Sequence, residues 1–237
     1  MNVYSDWNCR LLPMMRDLIA SSQDTKTALE ALNGLGIQRF CMMPEFDARI
    51  ESVSLFLLRQ EKFMQELKQI LPTHIRLERA ACVSLSNHVH KTPKLSKLCI
   101  PKTNYLPISL PLAPESDWLA VEINQLLYHS DLRLVFMNFD LYPIFYKEQF
   151  LQKLLALPHA AYQFNYKSLT NPLIRDYLKY LLQRNATVLF GTSVNSIGKA
   201  SYYEFEYYIQ TAHKYFSQYE CDTLFYQRKI YRKPLVR

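Results

Sequence analysis

The feature that most constrains the fold is a regular alternation of short apolar segments with longer amphipathic ones. Seven segments are rich in β-branched and aromatic residues, and apolar residues recur at helical spacing between most of them. Strands that alternate with helices build a parallel sheet whose outer side is covered by those helices. Seven such units without a long linker favour one closed, TIM-like barrel over two domains. The predicted strands are 3–7, 38–43, 74–80, 105–110, 133–137, 161–165 and 187–191.

The helices between these strands carry recognisable start and stop signals. Asp47 is a good N-cap for a helix that would bury Ile50 and end at Pro72, and Asn171 precedes a proline at the start of a later helix. Gly34 is the predicted C-cap of the first helix. One residue fits poorly, because Pro107 lies inside a predicted strand and cannot donate a hydrogen bond to a neighbour.

Several classes of protein are excluded by composition. The chain has 237 residues, of which 49% are hydrophobic and only four are glycine. Those four glycines cannot form the glycine-rich phosphate loops of Rossmann or P-loop proteins. Charges interrupt every apolar run before it reaches the length of a membrane helix. Five cysteines without a Cys-x-x-Cys pair predict buried free thiols and a cytoplasmic protein.

The net charge of +7 is concentrated partly at the carboxyl terminus, where residues 228–237 carry five cations and no acid. We expect residues 1–217 to form the barrel domain and residues 218–237 a basic extension. Such an extension is either a solvated terminus or a contact for an anionic lipid, nucleic acid or protein. No specific nucleic-acid motif accompanies it. Four tyrosines at 202, 203, 207 and 208 form either a helix face or a partner-binding face.

The ends of the predicted strands carry the residues that define the function of such a barrel. The first strand ends in NCRLLP at 8–13, the second is followed by Pro44 and Glu45, the fifth leads into NFDL at 138–141, and the seventh leads into TSVN at 192–195. In their order and spacing these segments resemble the polymerase and histidinol phosphatase (PHP) family. The closest resemblance is to the manganese-dependent protein-tyrosine phosphatases of bacterial capsule operons.

This resemblance implies a distorted seven-stranded barrel, and it also implies that the family's metal ligands are degenerate in this chain. The two histidines of the first motif correspond to Asn8 and Arg10, and the histidine after the second strand corresponds to Glu45. Only the acid of the loop after the first strand is retained, as Asp17. The remaining ligand positions and the arginine position correspond to Ala80, Ser109, Asn138, Leu141, Ser193 and Asn195.

A metal site needs several anionic or imidazole ligands that converge on one point. Asp17 and Glu45 supply two negative charges, amide oxygens are weak ligands, and Arg10 would repel a metal. Without a metal there is no activated water for hydrolysis. We therefore predict a vestigial pocket without a cofactor, although weak metal binding through Asp17 and Glu45 stays open.

Other chemistries have weaker support in the sequence. The His88-Val89-His90 segment has metal-like spacing, but no acid lies close in sequence, and residues two apart do not share a helix face. Cys9 beside Arg10 lacks the Cys-x5-Arg spacing of cysteine phosphatases. Asp17 and Glu45 would form an acid/base pair of the glycosidase type, but nothing else in the sequence supports sugar cleavage.

The sequence therefore predicts a catalytically inactive pseudo-phosphatase of the PHP type that binds a protein partner or an anionic ligand at the barrel mouth. The resemblance implies a link to tyrosine phosphorylation in capsule or exopolysaccharide assembly. The alternative is a residual or divergent phosphoesterase of the same family. Arg10 is predicted to pair with Asp17, with Glu45 or with both, or else to serve the anionic ligand.

Overall fold

The chain folds into two parallel sheets with helices packed against them. The computed structural model describes residues 4–12, 21–112, 117–128, 131–193 and 202–225. The strands are β1 Tyr4–Cys9, β2 Ile37–Met42, β3 Glu45–Phe46, β4 Arg76–Arg79, β5 Cys82–Ser84, β6 Tyr105–Ser109, β7 Arg133–Phe136, β8 Ala161–Asn165 and β9 Thr187–Gly191. A three-stranded sheet has the order β1-β2-β4, and a six-stranded sheet has the order β3-β5-β6-β7-β8-β9. The strand pairs in both sheets are parallel.

Seven α-helices lie in the described residues. Short 3-10 helices occupy parts of the loops, among them Val89–Lys91 and Phe139–Ile144. The α-helices are α1 Ser22–Gly34, α2 Val53–Ile70, α3 Asp117–Tyr128, α4 Glu148–Leu155, α5 Pro172–Gln183, α6 Tyr202–Tyr215 and α7 Gln218–Phe225.

The described residues contain nine strands where the sequence predicts seven, because two predicted strands, 38–43 and 74–80, are each followed by a further short strand after an interruption of two residues. Met43 and Pro44 separate β2 from β3, and Ala80 and Ala81 separate β4 from β5. Both chain segments stay side by side across the interruption, where the Ala80 N–H donates to the Met42 carbonyl (3.0 Å) and the Cys82 N–H donates to the Pro44 carbonyl (3.0 Å). Each segment thus begins in the three-stranded sheet and ends in the six-stranded one.

Most of the strands are buried on both faces, which explains why they read as apolar runs rather than as alternating patterns. Strand β4 is the exception, because Arg76 and Arg79 are exposed. Residues such as Phe40, Leu134 and Phe136 belong to a large core shared with the helices. Their sequence neighbours point to the opposite face, where a second apolar cluster has formed. That cluster contains Trp7, Cys41, Met43, Ala80, Cys82, Ile100, Tyr105, Val135, Met137, Ala161 and Leu189.

The predicted start of the second helix is wrong. Asp47 forms a local turn in which its Oδ1 accepts from the Arg49 N–H (2.9 Å), and α2 begins only after Ser52, whose Oγ accepts from the Leu55 N–H (3.3 Å). Ile50 therefore lies outside the helix and is 47% exposed rather than buried. The expected cap of α5 is correct, since Asn171 Oδ1 accepts from the Leu173 N–H (3.0 Å) and Pro172 is the first helical residue.

The end of α1 also differs from its prediction. Gly34 is the last residue of the helix, Leu35 is the C-cap, and the left-handed residue is Gly36, with a φ of 86°. Glycine adopts that conformation without the steric cost that a β-carbon brings.

Pro107 lies within β6 as predicted, and the pairing of that strand explains why it is tolerated. The Ser109 carbonyl accepts from the Leu85 N–H on the β5 side, so the nitrogen of Pro107, two residues earlier, faces the same side. Strand β5 pairs with β6 only at Ile108 and Ser109. The missing N–H of Pro107 therefore lies before this ladder begins.

All five cysteines are buried free thiols, as predicted. None of the described helices is both long and apolar enough to cross a membrane. Helix α7 packs beyond residue 217, with Cys221, Leu224 and Phe225 buried against the rest of the fold. The basic segment 228–237 lies outside the described residues.

Candidate functional site

A cluster of neutral polar side chains lies at the carboxyl ends of β1, β7, β8 and β9. At its centre is the buried amide nitrogen of Asn8. Three oxygen atoms surround this nitrogen: Asn138 Oδ1 at 2.8 Å, Gln163 Oε1 at 3.1 Å and Ser193 Oγ at 2.8 Å. We call Asn8, Asn138, Gln163, Asn165 and Ser193 the polar cluster. An amide NH₂ group has two hydrogens, so three acceptors around it exceed its donor capacity.

The backbone around the polar cluster is held in conformations that aim these side chains at one point. Asn138 and Ser193 both have positive φ values, of 53° and 51°. The Asn138 N–H donates to Gln163 Oε1 (2.8 Å), and Ser193 Oγ contacts both Asn138 Oδ1 (3.0 Å) and Asn165 Oδ1. Left-handed backbone at residues other than glycine is uncommon and often accompanies functional sites.

Two carboxylates, Asp6 and Asp140, accept hydrogen bonds from residues of the polar cluster. Asp6 is fully buried and accepts from the N–H groups of Asn8 (2.9 Å) and Thr192 (3.1 Å) and from the Thr192 hydroxyl. Burial raises the pKa of Asp6, and these hydrogen bonds oppose that rise. Asp140 accepts from Asn165 Nδ2 at 3.1 and 2.9 Å, and burial raises its pKa as well.

A second group of residues lies in or directly after β1, β3, β5 and β6. We call Arg10, Glu45, Cys82, Ser84 and Ser109 the arginine group. Arg10 Nη2 lies 3.8 Å from Glu45 Oε2, and the Ser84 hydroxyl donates to the other oxygen of Glu45. Burial raises the pKa of the Cys82 thiol, whereas the charge of Arg10 and hydrogen bonds from Ser109 and Arg10 lower it. Arg10 Nε is buried and has no hydrogen-bond partner among the described residues.

The structure brings most of the predicted pocket residues into these two groups. Asn8, Asn138 and Ser193 touch one another, and the predicted pairing of Arg10 with Glu45 is present. Ser109 joins the arginine group through Cys82, and Ala80 lies in the second apolar cluster with its carbonyl accepting from Gln60 Nε2 (2.7 Å). Asp17 and Asn195 lie outside the described residues.

Sequence reasoning missed Gln163 and Asn165 of the polar cluster. Both lie in β8, whose five residues are all buried. The signal was available, because polar side chains at alternate positions of a fully buried strand need partners on one face. The carboxylates Asp6 and Asp140 were missed for a different reason: each supports the site through a neighbour.

The polar cluster and the arginine group do not fit a resident divalent metal. Their donor atoms are amide and hydroxyl oxygens together with one carboxylate, Glu45, and the guanidinium of Arg10 lies against that carboxylate. Hard divalent cations are held by sets of anionic oxygens or imidazoles. No group of three or more His, Cys, Asp or Glu side chains suited to a metal occurs within the described ranges.

The other sequence candidates are used structurally. Glu122 of α3, which is 2% exposed, accepts from the His88 N–H (2.9 Å), the His90 N–H (2.7 Å) and His90 Nδ1 (2.7 Å). Glu122 therefore binds the His-x-His segment to α3, while the side chain of His88 is exposed. Cys9 is fully buried, which does not suit a nucleophile.

The fold was compared with known proteins. No protein-family model and no curated protein matches the chain. It is similar to a chain from the crystal structures of YwqE from Bacillus subtilis and CpsB from Streptococcus pneumoniae, which are described as unique metal-dependent tyrosine phosphatases. The TM-score is 0.68 at 14% identity, over 93% of this chain and 90% of that chain. The fold resemblance predicted from the sequence is confirmed.

Proposed function

We propose that this chain is a pseudo-phosphatase of the PHP type that binds a ligand at the carboxyl ends of its strands and does not hydrolyse it. One observation carries the proposal: the amide nitrogen of Asn8 lies between three oxygens that converge on it. A hydrogen-bond donor there occupies the position that a cation would take among convergent oxygens. The polar cluster is therefore held together by hydrogen bonds, with no charge to attract a metal.

The barrel predicted from the sequence is part of this proposal. Strand β1 lies beside β9, because Asp6 binds Thr192 just beyond β9, and a β-carbon on Gly191 would come within 2.7 Å of Asn8. If each interrupted pair, β2 with β3 and β4 with β5, counts as one strand, the order runs through seven strands and returns from β9 to β1. We propose that this arrangement is a closed seven-stranded barrel whose mouth carries the site.

The ligand that suits this mouth is an anion. Arg10 is partly exposed, with 24% of its side chain accessible, and a single carboxylate, Glu45, is its recorded ion-pair partner. A guanidinium presents several N–H donors and binds carboxylate and phosphate groups in a bidentate manner. We propose a phosphorylated protein partner, without manganese or another cofactor, in the cytoplasm and linked to capsule or exopolysaccharide assembly. Asp17 and Asn195 would complete the pocket.

A residual phosphatase of the same fold is the second candidate, because the similar crystal structures are described as metal-dependent tyrosine phosphatases. Hydrolysis of a phosphotyrosine peptide with and without manganese separates the two, with YwqE as the positive control. We expect only background turnover, and we expect that Asn8→His with Arg10→His does not restore activity, because Ala80, Asn138 and Ser193 still supply no strong ligand. Manganese-dependent turnover by the unmodified chain would establish the phosphatase instead.

Binding at the mouth is tested by thermal unfolding with and without phosphate. We expect phosphate to raise the melting temperature of the unmodified chain more than that of Arg10→Ala. Because Arg10 and Glu45 are both partly exposed, losing their ion pair should cost about 1 kcal/mol or less. An equally large phosphate effect in Arg10→Ala and in the unmodified chain would show that Arg10 does not bind the anion.

A further inference from the structure

A cavity lies apart from the polar cluster and the arginine group. It has a volume of about 600 Å³, is open to solvent, and is lined by residues of α2, β2 and β4 and by the loop at Pro101 and Lys102. Strand β4 is the edge of the three-stranded sheet, so one of its sides has no strand neighbour within that sheet. The cavity lies against β4, and none of the residues of the polar cluster or the arginine group lines it.

The charged side chains around this cavity leave a positive surplus. Four cations and two carboxylates line it: Arg39, Lys68, Arg79, Lys102, Glu61 and Glu78. Arg39 Nε lies 3.5 Å from Glu78 Oε1, and Arg79 pairs with Glu61. In the part of the chain that the structure describes, neither Lys68 nor Lys102 has an ion-pair partner. The surplus of two positive charges matches the charge of a phosphate monoester near neutral pH, about −1.5 to −2.

The rest of the lining is apolar. Met64 of α2, Leu77 of β4 and Pro101 of the loop complete the wall. The volume lies within the range of about 300–1,000 Å³ that is typical of small-molecule sites, which combine an apolar wall with a few polar groups. The cavity is therefore larger than a lone inorganic anion needs, and it offers a surface for an organic group attached to the anion.

The ion pair with Glu61 also prepares the guanidinium of Arg79 for an anion. A guanidinium has five N–H donors in a fixed plane, and Glu61 accepts from Nη1 of Arg79. The other donors of Arg79 keep a defined orientation, because the ion pair restricts the side chain. Lys68 and Lys102 add two exposed ammonium groups at the same cavity.

We propose that this cavity binds a small organic phosphate monoester, at a site separate from the polar cluster and the arginine group. The phosphate would contact Lys68 and Lys102 together with the guanidinium of Arg79. The organic group would lie on Met64, Leu77 and Pro101.

The test uses phenyl phosphate as the probe and follows the methyl signals of Met64 and Leu77 by NMR in the full chain. We expect saturable shifts at both methyl groups and weaker binding of inorganic phosphate, which lacks an apolar part. The double variant Lys68→Gln with Lys102→Asn should weaken the binding of phenyl phosphate at least tenfold. Asparagine suits position 102 because Lys102 has a φ of 63°.

The matched control is Lys62→Gln, which removes an exposed lysine of the same helix that does not line the cavity. We expect it to change the affinity less than twofold. Each of three results would overturn the proposal. The double variant could bind phenyl phosphate with unchanged affinity, the NMR shifts could be confined to residues of the polar cluster and the arginine group, or no saturable shift could occur. Since the readout lies at Met64 and Leu77, failure here is distinct from failure of the strand-end site.

Discussion

At the scale of single residues, the candidate site is a set of uncharged donors and acceptors in which each group depends on the others. Asn8 donates where three oxygens converge, and Asp6 orders the backbone at both Asn8 and Thr192. Buried polar networks of this kind stabilise a fold when their members are satisfied and destabilise it when one is lost. Replacing a single hydrogen-bond donor by an acceptor should therefore change the free energy of unfolding strongly at this site.

We expect Asn8→Asp, which keeps the shape and replaces the amide nitrogen by an oxygen, to lower the free energy of unfolding by about 3–5 kcal/mol. A buried carboxylate would then face three oxygens that can no longer receive a hydrogen bond from it. The loss should shrink on acidification, because burial raises the pKa of such a carboxyl. Urea unfolding at two pH values measures both effects.

The matched control is Asn171→Asp, the same chemical change at the cap of α5, where the side chain accepts a hydrogen bond and a carboxylate can do so too. It should leave the stability unchanged or slightly raised. If Asn8→Asp were equally harmless, Asn8 would not be the donor at the centre of the polar cluster.

Asp6 gives a prediction with a pH dependence. Because its pKa is raised in the folded state, the folded protein holds the proton more tightly than the unfolded chain. Asp6 therefore lowers the free energy of unfolding as the pH rises from the usual aspartate pKa of about 4 to the raised value. Asp6→Asn keeps an acceptor for both N–H groups, so its stability relative to the unmodified chain should increase with pH across that window.

Urea unfolding at several pH values measures this difference, and Asp176→Asn, the same change at an exposed position of α5, is the matched control. A stability difference between Asp6→Asn and the unmodified chain that does not change with pH would contradict the assignment of a proton-linked cost to Asp6.

At the scale of the elements, the close approach of β9 to β1 depends on one glycine. A β-carbon at Gly191 would lie 2.7 Å from both the Cβ and the backbone nitrogen of Asn8, and 3.0 Å from Asp6 Oδ1. Backbone atoms cannot move aside cheaply, so the two strands would have to separate. We expect Gly191→Ala to lower the free energy of unfolding by about 1–3 kcal/mol.

Gly34→Ala is the matched control, because a β-carbon added there would meet nothing within 4 Å and the backbone is helical. Its stability should stay the same or rise by up to about 1 kcal/mol, since alanine favours a helix. Thermal unfolding of the two variants compares the same chemical change in both settings. Equal melting temperatures for the two would mean that β9 and β1 do not approach as closely as described.

The sequence predicted the order of the elements well, because burial on both faces gives continuous apolar strands and the helices have clear caps. The predicted helix start was wrong at Asp47, because the Asp47 side chain accepts from the Arg49 N–H in a local turn and does not cap α2. Of the site, the sequence predicted the residues that follow strands. It missed Gln163 and Asn165, whose alternation in the buried strand β8 indicates that they share a face but does not tell that Asn8 and Ser193 lie at that face.

At the scale of the whole molecule, the core continues into α7. The sequence places the end of the domain at residue 217, yet Phe225 is 3% exposed and its ring lies 5.7 Å from that of Phe190 and 5.9 Å from that of Tyr4. We expect the folded unit to include α7. Phe225→Ala should then lower the free energy of unfolding by about 3–5 kcal/mol.

Tyr219→Ala in the same helix is the control, because Tyr219 is 77% exposed and its loss should cost no more than about 0.5 kcal/mol. Calorimetry of the full chain measures both variants. If Phe225→Ala left the free energy of unfolding unchanged, α7 would not belong to the folded unit, in agreement with a domain boundary at residue 217.

The interruption of two strands has a consequence for the site. Asn8 lies in β1 of the three-stranded sheet and Arg10 directly follows that strand. Gln163 and Glu45 lie in the six-stranded sheet, and Asn138 and Ser193 follow its strands. Their contacts thus join the two sheets. A ligand that contacts residues of both sheets would strengthen this connection, and its binding would raise the free energy of unfolding of the entire chain.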